Sequence, residues 1–251
     1  MRILVTNDDG IHAPGLKSLE KIARSLSDDV WVVAPDTEQS GASHSLTLTL
    51  PIRVRQINRR KFAVRGTPTD CVMMAVTVLV KGKKPDLVLS GVNRGANLGE
   101  DTTYSGTIAA AMEGTLLGIR SVALSQSFAA PHPVKWATAE HHGPKVIKKL
   151  LASDWVEDVL MNVNFPDVVH GSVNGVNVVR QGRRNLFDLN IEHRIDARNV
   201  PYYWIGFKRQ TGKPPLATDV GAVQAGYVAV TPLHLDLTHG PSLRRLKDAF
   251  A

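Results

Sequence analysis

A single cysteine, Cys71, stands in 251 residues. It leaves no partner for an intramolecular disulfide and no material for a Cys-rich zinc site. That usage suits a reducing compartment. Long apolar runs are missing too. The best candidate for a membrane span, Cys71 to Val80, falls far short of the roughly 20 residues needed and reads as a buried helix. The opening MRILVTNDDG has one basic residue and a brief apolar run halted by acids. A secretory signal needs a longer apolar stretch and a small-residue cleavage site. Internal repeats, low-complexity tracts and Pro/Ser linkers are absent. At 43% hydrophobic and 21% charged residues, the composition is that of an ordinary globular protein, which excludes disorder, collagen and coiled coil for the whole chain. These absences together predict a cytoplasmic protein without membrane contact, folded as one domain over residues 1–251.

The net charge is +7. The cations lie in scattered groups: Arg59-Arg60-Lys61, Lys81 with Lys83-Lys84, Arg183-Arg184 and Arg244-Arg245. None is a long tract, and none is interleaved with aromatics as a single-strand stacking platform would be. A solvated basic surface accounts for them, and its field would also favour a small anionic substrate. Nucleic acid is therefore disfavoured as a partner.

The patterning predicts a doubly wound α/β fold. Ile3 to Val5 is a buried strand, Pro14 opens a helix with Leu16, Leu19, Ile22, Ala23 and Leu26 on one face, and Trp31 to Ala34 is a second buried strand. Strand–helix–strand in this span is a βαβ unit, whose strands are parallel. Alternating apolar residues from Ser45 to Gln56 predict an inserted β-ribbon paired with Phe62 to Val64. A helix over Cys71 to Val80, capped from Thr67, precedes a strand at Asp86 to Ser90. A helix opening at Tyr104 and running to Leu117 leads to a strand at Val122 to Ser125. Residues 1–127 thus predict a Rossmann-like core with a mostly parallel sheet. Residues 128–251 form a less regular C-terminal part. Its expected elements are a helix over Val134 to Leu151, strands at Val159 to Val163, Val176 to Val179 and Tyr227 to Val230, and a helix over Leu243 to Phe250. A polar ribbon over 185–209 is expected to pair with another subunit.

In an open parallel sheet, ligands bind at the carboxyl ends of the strands. Three polar loops fall there. Asp8 and Asp9 follow the first strand, and adjacent carboxylates favour a hard divalent cation such as Mg²⁺ or Mn²⁺. Taken alone, they serve as well as an acidic turn, since Asp-Gly is a turn signal. Ser40 follows the second strand, where a hydroxyl can ligate a metal or simply belong to a flexible loop. Asn93 and Asn97 lie between Gly91, Gly95 and Gly99, a spacing that is neither a Walker motif nor GxGxxG. Their amides can ligate, donate to phosphate or stabilise a tight loop. Ser105-Gly106-Thr107 precede a small-residue helix, suited to an anion or to ordinary capping. His12, His44 and His234 are weaker candidates for a general acid, and Cys71 reads as core packing.

These segments, in this order, resemble the SurE family, the stationary-phase survival proteins, which are metal-dependent 5′-nucleotidases. The resemblance rests on Asn7-Asp8-Asp9-Gly10, Ala13 to Leu16, Ala34-Pro35-Asp36, Ser40 to Leu48, Gly66 to Val72 and Ser90 to Gly99. It continues through Tyr104 to Thr107, Ala110 to Gly114, Thr231 to Leu233 and Asp236 to Thr238. It implies a Rossmann-like core and a C-terminal hairpin exchanged between subunits of a homodimer or homotetramer. It implies one divalent cation held by Asp8, Asp9, Ser40 and Asn93. Phosphate contacts would come from Asn97, Ser105, Gly106 and Thr107, and Asp8 or Asp9 would take the catalytic role. The implied activity is hydrolysis of nucleoside 5′-monophosphates, with 3′-nucleotides and short polyphosphate left open. The alternative is a nucleotide- or nucleic-acid-binding protein without turnover.

Overall fold

The computed structural model describes residues 1–184, 189–207 and 212–251. Its first elements are β1 (Arg2–Thr6), α1 (Pro14–Arg24) and β2 (Asp29–Pro35). Pro14 sets the first turn of α1, Lys21 and Arg24 lie in its last turn, and Leu16, Leu19, Ile22 and Ala23 form its buried face. The antiparallel pair β3 (Arg53–Asn58) and β4 (Lys61–Arg65) is followed by α2 (Pro68–Met74), β5 (Leu87–Arg94), α3 (Asp101–Tyr104), α4 (Gly106–Leu116) and β6 (Arg120–Gln126). The C-terminal part carries α5 (Trp136–Leu151), β7 (Val159–Phe165), β8 (Val176–Val178), β9 (Leu189–Ile195), β10 (Pro201–Phe207), α6 (Asp219–Gln224), β11 (Val228–His234) and α7 (Gly240–Ala249).

Nine strands form one sheet in the order β3-β4-β2-β1-β5-β6-β7-β11-β8, and β9 with β10 forms a separate hairpin. From β4 through β7 the pairing is parallel, and β3 and β11 run antiparallel to β4 and β7. Alternate residues of β1 feed two cores. Ile3 and Val5 pack with α1 and α5 residues on one face, while Leu4 packs with α2 and α4 residues on the other. The chain leaves β1 for β2 on one side and returns to β5 on the other, so β1/β5 is the switch point where such sheets open a crevice.

Several expectations are corrected. The ribbon expected over Ser45 to Gln56 is a strand only over Arg53–Asn58. Its partner β4 begins pairing at Arg53, so residues 45–50 have no backbone to join. Instead the Asp70 carboxylate accepts from the Thr47 N–H and hydroxyl, and Leu48 is left 84% exposed. The Cys71 to Val80 helix begins earlier, at Pro68, where Thr67 and Asp70 form a reciprocal cap, and it ends in a wide turn over Ala75–Leu79. Only one face of it is buried, since Val78 is exposed and Cys71 is core. The helix opening at Tyr104 is two helices broken by an extended Ser105. α6 had no apolar period long enough to announce it; its signal is the Thr218 cap. The ribbon over 185–209 is β9 and β10, but Tyr202, Tyr203, Trp204 and Ile205 make it far from polar; positions 185–188 and 208–209 lie outside the described residues. Among the described residues, no helix is long and apolar enough to cross a membrane.

Candidate active site

A cleft of about 970 Å³ opens at the carboxyl ends of β1 and β5, and Asp8, Asp9, Ser40, Asn93, Asn97 and Ser105 all line it. Gly106 and Thr107 stand directly behind. The Thr107 hydroxyl donates to Asp8 Oδ1 at 2.5 Å, and a β-carbon on Gly106 would stand 2.8 Å from Asp8 Cβ. The first turn of α4 therefore packs on the Asp8 carboxylate at a distance that only glycine permits. Likewise, a side chain on Gly91 would meet the Leu124 carbonyl at 2.2 Å, so β5 and β6 close together just below Asn93.

The two carboxylates are not ordinary. Asp8 is only 4% exposed, and burial, assisted by the neighbouring Asp9 charge, pushes its pKa from 3.8 up to about 6 against the opposing Thr107 hydrogen bond. Asp9 is raised as well, by burial and by Glu38, although it accepts the Arg94 N–H at 3.2 Å. Asn93 donates its amide to the Gly95 carbonyl at 2.9 Å, which leaves its own carbonyl oxygen as the atom for a cation. Ser40 donates to Glu38 Oε1 at 2.8 Å. The donors are thus carboxylate, hydroxyl and amide oxygens around two carboxylates, of which Asp9 feels the Arg94 charge and both remain raised. Among the described residues, no three His, Cys, Asp or Glu side chains are grouped as a metal set. Such oxygen chemistry fits a hard divalent cation and not a softer one.

The anion side is equally defined. Ser105 caps α4 by accepting the Ile108 N–H, so its hydroxyl proton is left to donate. Asn97 gives one amide proton to Ser125 Oγ and keeps a second. Its backbone is braced from β7, where the Asn164 carbonyl oxygen accepts the Asn97 N–H and the Asn162 and Asn164 amides both donate to the Asn97 carbonyl. The histidines stand elsewhere: His12, His44 and His234 do not line the cleft.

Sequence reading passed over several residues that shape the site. Glu38 adds a third carboxylate, and Arg94, Phe128 and Trp136 supply cation and aromatic surface, with the Arg94 guanidinium 5.0 Å from the Phe128 ring centre. Asp219, from α6, is fully buried and accepts the Gly99, Gly182 and Val220 N–H groups, which fixes the end of the Asn-rich loop. Glu38 sat visibly between β2 and Ser40, but nothing local marked Asn162, Asn164 or Asp219.

Similarity to known proteins runs along the whole chain. The family model for survival protein SurE matches residues 3–188. A 5′-nucleotidase SurE of Parvibaculum lavamentivorans is 61% identical, over 99% of this chain and 91% of its own. That of Paramagnetospirillum magneticum is 58% identical, over 100% of this chain and 96% of its own. The crystal structure of a SurE protein from Aquifex aeolicus superposes with a TM-score of 0.85 at 40% identity and full coverage of both chains.

Proposed function

This chain belongs to the SurE family, and from that premise we propose that it is a metal-dependent hydrolase releasing phosphate from nucleoside 5′-monophosphates; its relatives are named 5′-nucleotidases. What carries the reading onto particular residues is the cleft, where two carboxylates with raised pKa values share one wall with amide, hydroxyl and helix-terminal donors. In this reading Asp8, Asp9, Ser40 and Asn93 hold one Mg²⁺ or Mn²⁺ ion. When bound, the ion supplies Lewis-acid polarisation of the phosphate and acidification of water.

The chain's own residues do the rest. Asp8, held by Thr107, orients the attacking water and takes up its proton, which is returned to the departing nucleoside 5′ oxygen as its bond to phosphorus breaks. Asn97, Ser105 and the N–H groups that open α4 at Gly106 and Thr107 bear on the phosphoryl oxygens as negative charge spreads over them. Those donors are held by β7 and by the helix itself, so little reorganisation is required when the substrate arrives. We read residues 1–251 as one SurE-like unit set in the cytoplasm, with the site in 1–127 and the 185–209 hairpin as the contact of a homodimer or homotetramer. The hairpin's exposed Tyr203, Trp204 and Ile205 support that contact.

The test is phosphate release from a panel of nucleoside monophosphates by metal-stripped protein, before and after Mn²⁺ or Mg²⁺. Release restored by the ion is expected. No release with any cation or nucleotide would overturn the nucleotidase reading and point to a binding protein or to a different substrate.

A further inference from the structure

Ser40 stands on a long connection between β2 and β3 that has no regular structure over residues 44–52, yet the connection is tied down at defined points. The Ser43 hydroxyl donates to the Thr103 carbonyl at 2.8 Å, and its N–H reaches the Tyr104 carbonyl at 3.3 Å. Thr67 donates its hydroxyl to the Ser45 carbonyl at 2.8 Å, and Asp70 holds Thr47. Between these ties, His44 Nε2 lies 3.1 Å from Glu113 Oε2. Glu113 is in the middle of α4 and only 9% exposed. A carboxylate so placed is costly unless hydrogen-bonded, and among the described residues His44 is its one hydrogen-bond partner.

The geometry is informative because of what else α4 does. Its first residue, Gly106, abuts Asp8, and its second, Thr107, donates to Asp8. About two turns further on, Glu113 grips the Ser40 connection. One rigid helix therefore sets the position of a buried carboxylate of the cleft and of the loop that carries Ser40. We propose that the His44–Glu113 pair is a positioning device for cation binding: it holds the Ser40 loop against α4 so that Ser40 and Asp8 meet the ion in a fixed relation. Without the pair, the loop loses one of its ties and must be ordered by the cation itself, at an entropic cost that weakens binding. The inference rests on the assignment of Ser40 as a cation ligand, which is part of the proposed function. His44 thereby has a positioning role and not that of a general acid.

The test is direct Mn²⁺ binding to metal-stripped protein, followed by electron paramagnetic resonance of the free ion, with turnover at saturating Mn²⁺ measured alongside. His44→Ala and Glu113→Ala are each expected to weaken Mn²⁺ binding about tenfold or more. Because both remove the same contact, the double variant should be little weaker than either single one. Glu113→Gln keeps an acceptor for His44 and should restore binding to near the parent value, which loss of helix packing would not do. Turnover at saturating Mn²⁺ should stay within a few-fold in all of them. His44 is on the exposed loop, so His44→Ala tests the pair even if Glu113→Ala unfolds α4. Unchanged Mn²⁺ affinity in His44→Ala, with Ser40→Ala weakened, would overturn the positioning role and leave the site assignment intact. Unchanged affinity in Ser40→Ala would overturn both.

Discussion

The cleft and the β9–β10 hairpin each hold something that physical chemistry disfavours, in opposite senses. In the cleft a carboxylate is buried, with Asp8 4% exposed beside a second acid. On the hairpin, apolar side chains are left in water, with Trp204 60% and Ile205 71% exposed. Around Asp8, the glycine contact, the Thr107 hydroxyl and the braced Asn97 make a rigid frame that tolerates the strain. The hairpin has no such frame: its two strands pair only with each other, in a sheet of their own. On the proposed function, something from outside the chain would relieve the unfavourable feature in both places, a cation in one and a second copy in the other. Local rules are broken where a protein meets its partners, and the kind of violation tells which partner.

The comparison can be broken most sharply at Asp8 and Asp9. Asp8→Asn and Asp9→Asn should each lower phosphate release from a nucleoside 5′-monophosphate by at least about 10²–10³-fold, the scale of losing a charge-stabilising group. Circular dichroism should be unchanged, and full activity in both variants would remove the site assignment. Next in size is Gly106→Ala, which drives a methyl group onto Asp8 Cβ; thermal unfolding should register about 1–3 kcal/mol of overpacking, together with reduced turnover.

The third effect is a pH dependence. Folded, Asp8 titrates at about 6, above its ordinary 3.8, so the folded protein binds this proton more tightly than the unfolded chain does. Its contribution to stability is complete below about pH 4 and is lost as pH rises through about 6. Metal-stripped protein should therefore lose melting temperature between pH 4 and pH 7 relative to Asp8→Asn. Added Mn²⁺, which needs the ionised carboxylate, should raise the melting temperature more at pH 8 than at pH 5. An identical pH profile for Asp8→Asn and the parent would show that the burial of Asp8 is not felt. The smallest effect on chemistry belongs to the hairpin. Trp204→Asp with Ile205→Asp should reduce the assembly mass in light scattering while changing monomer folding stability by no more than about 0.5 kcal/mol. A hundredfold loss of turnover per subunit would mean that the two regions are not separable.

Much of this was legible in the residues. Strands β1, β2, β5 and β6 are short apolar runs bounded by polar loops, and α1 carries a clear helical period, so the parallel core and its active edge could be read directly. Asp8 and Asp9 follow β1, Ser40 follows β2, Asn93 lies at the end of β5, Asn97 lies in the loop after it and Ser105 caps α4, and all of them line one cleft. The alternation of Leu46, Leu48 and Leu50 misled, because period two marks a strand only if a neighbouring backbone is free to pair, and β4 is too short to supply one. Asn162, Asn164, Asp219 and Glu113 could not be read, since each acts across the fold on a residue distant in sequence. Burial, hydrogen-bond partners and raised pKa values are properties of the assembled sheet and have no sequence period.

Asp219 bears on how the protein comes into being. It lies beyond the hairpin, yet its carboxylate holds Gly99 at the end of the loop that carries Asn93 and Asn97. A ribosome has released every candidate ligand by the time it has passed residue 107, but the brace for this loop arrives more than a hundred residues later. A nascent chain, or a fragment truncated before α6, holds the chemical groups without the frame that aims them. Phosphatase activity should thus switch on late in synthesis, after the hairpin has emerged, and degradation products of the N-terminal half should be poor catalysts.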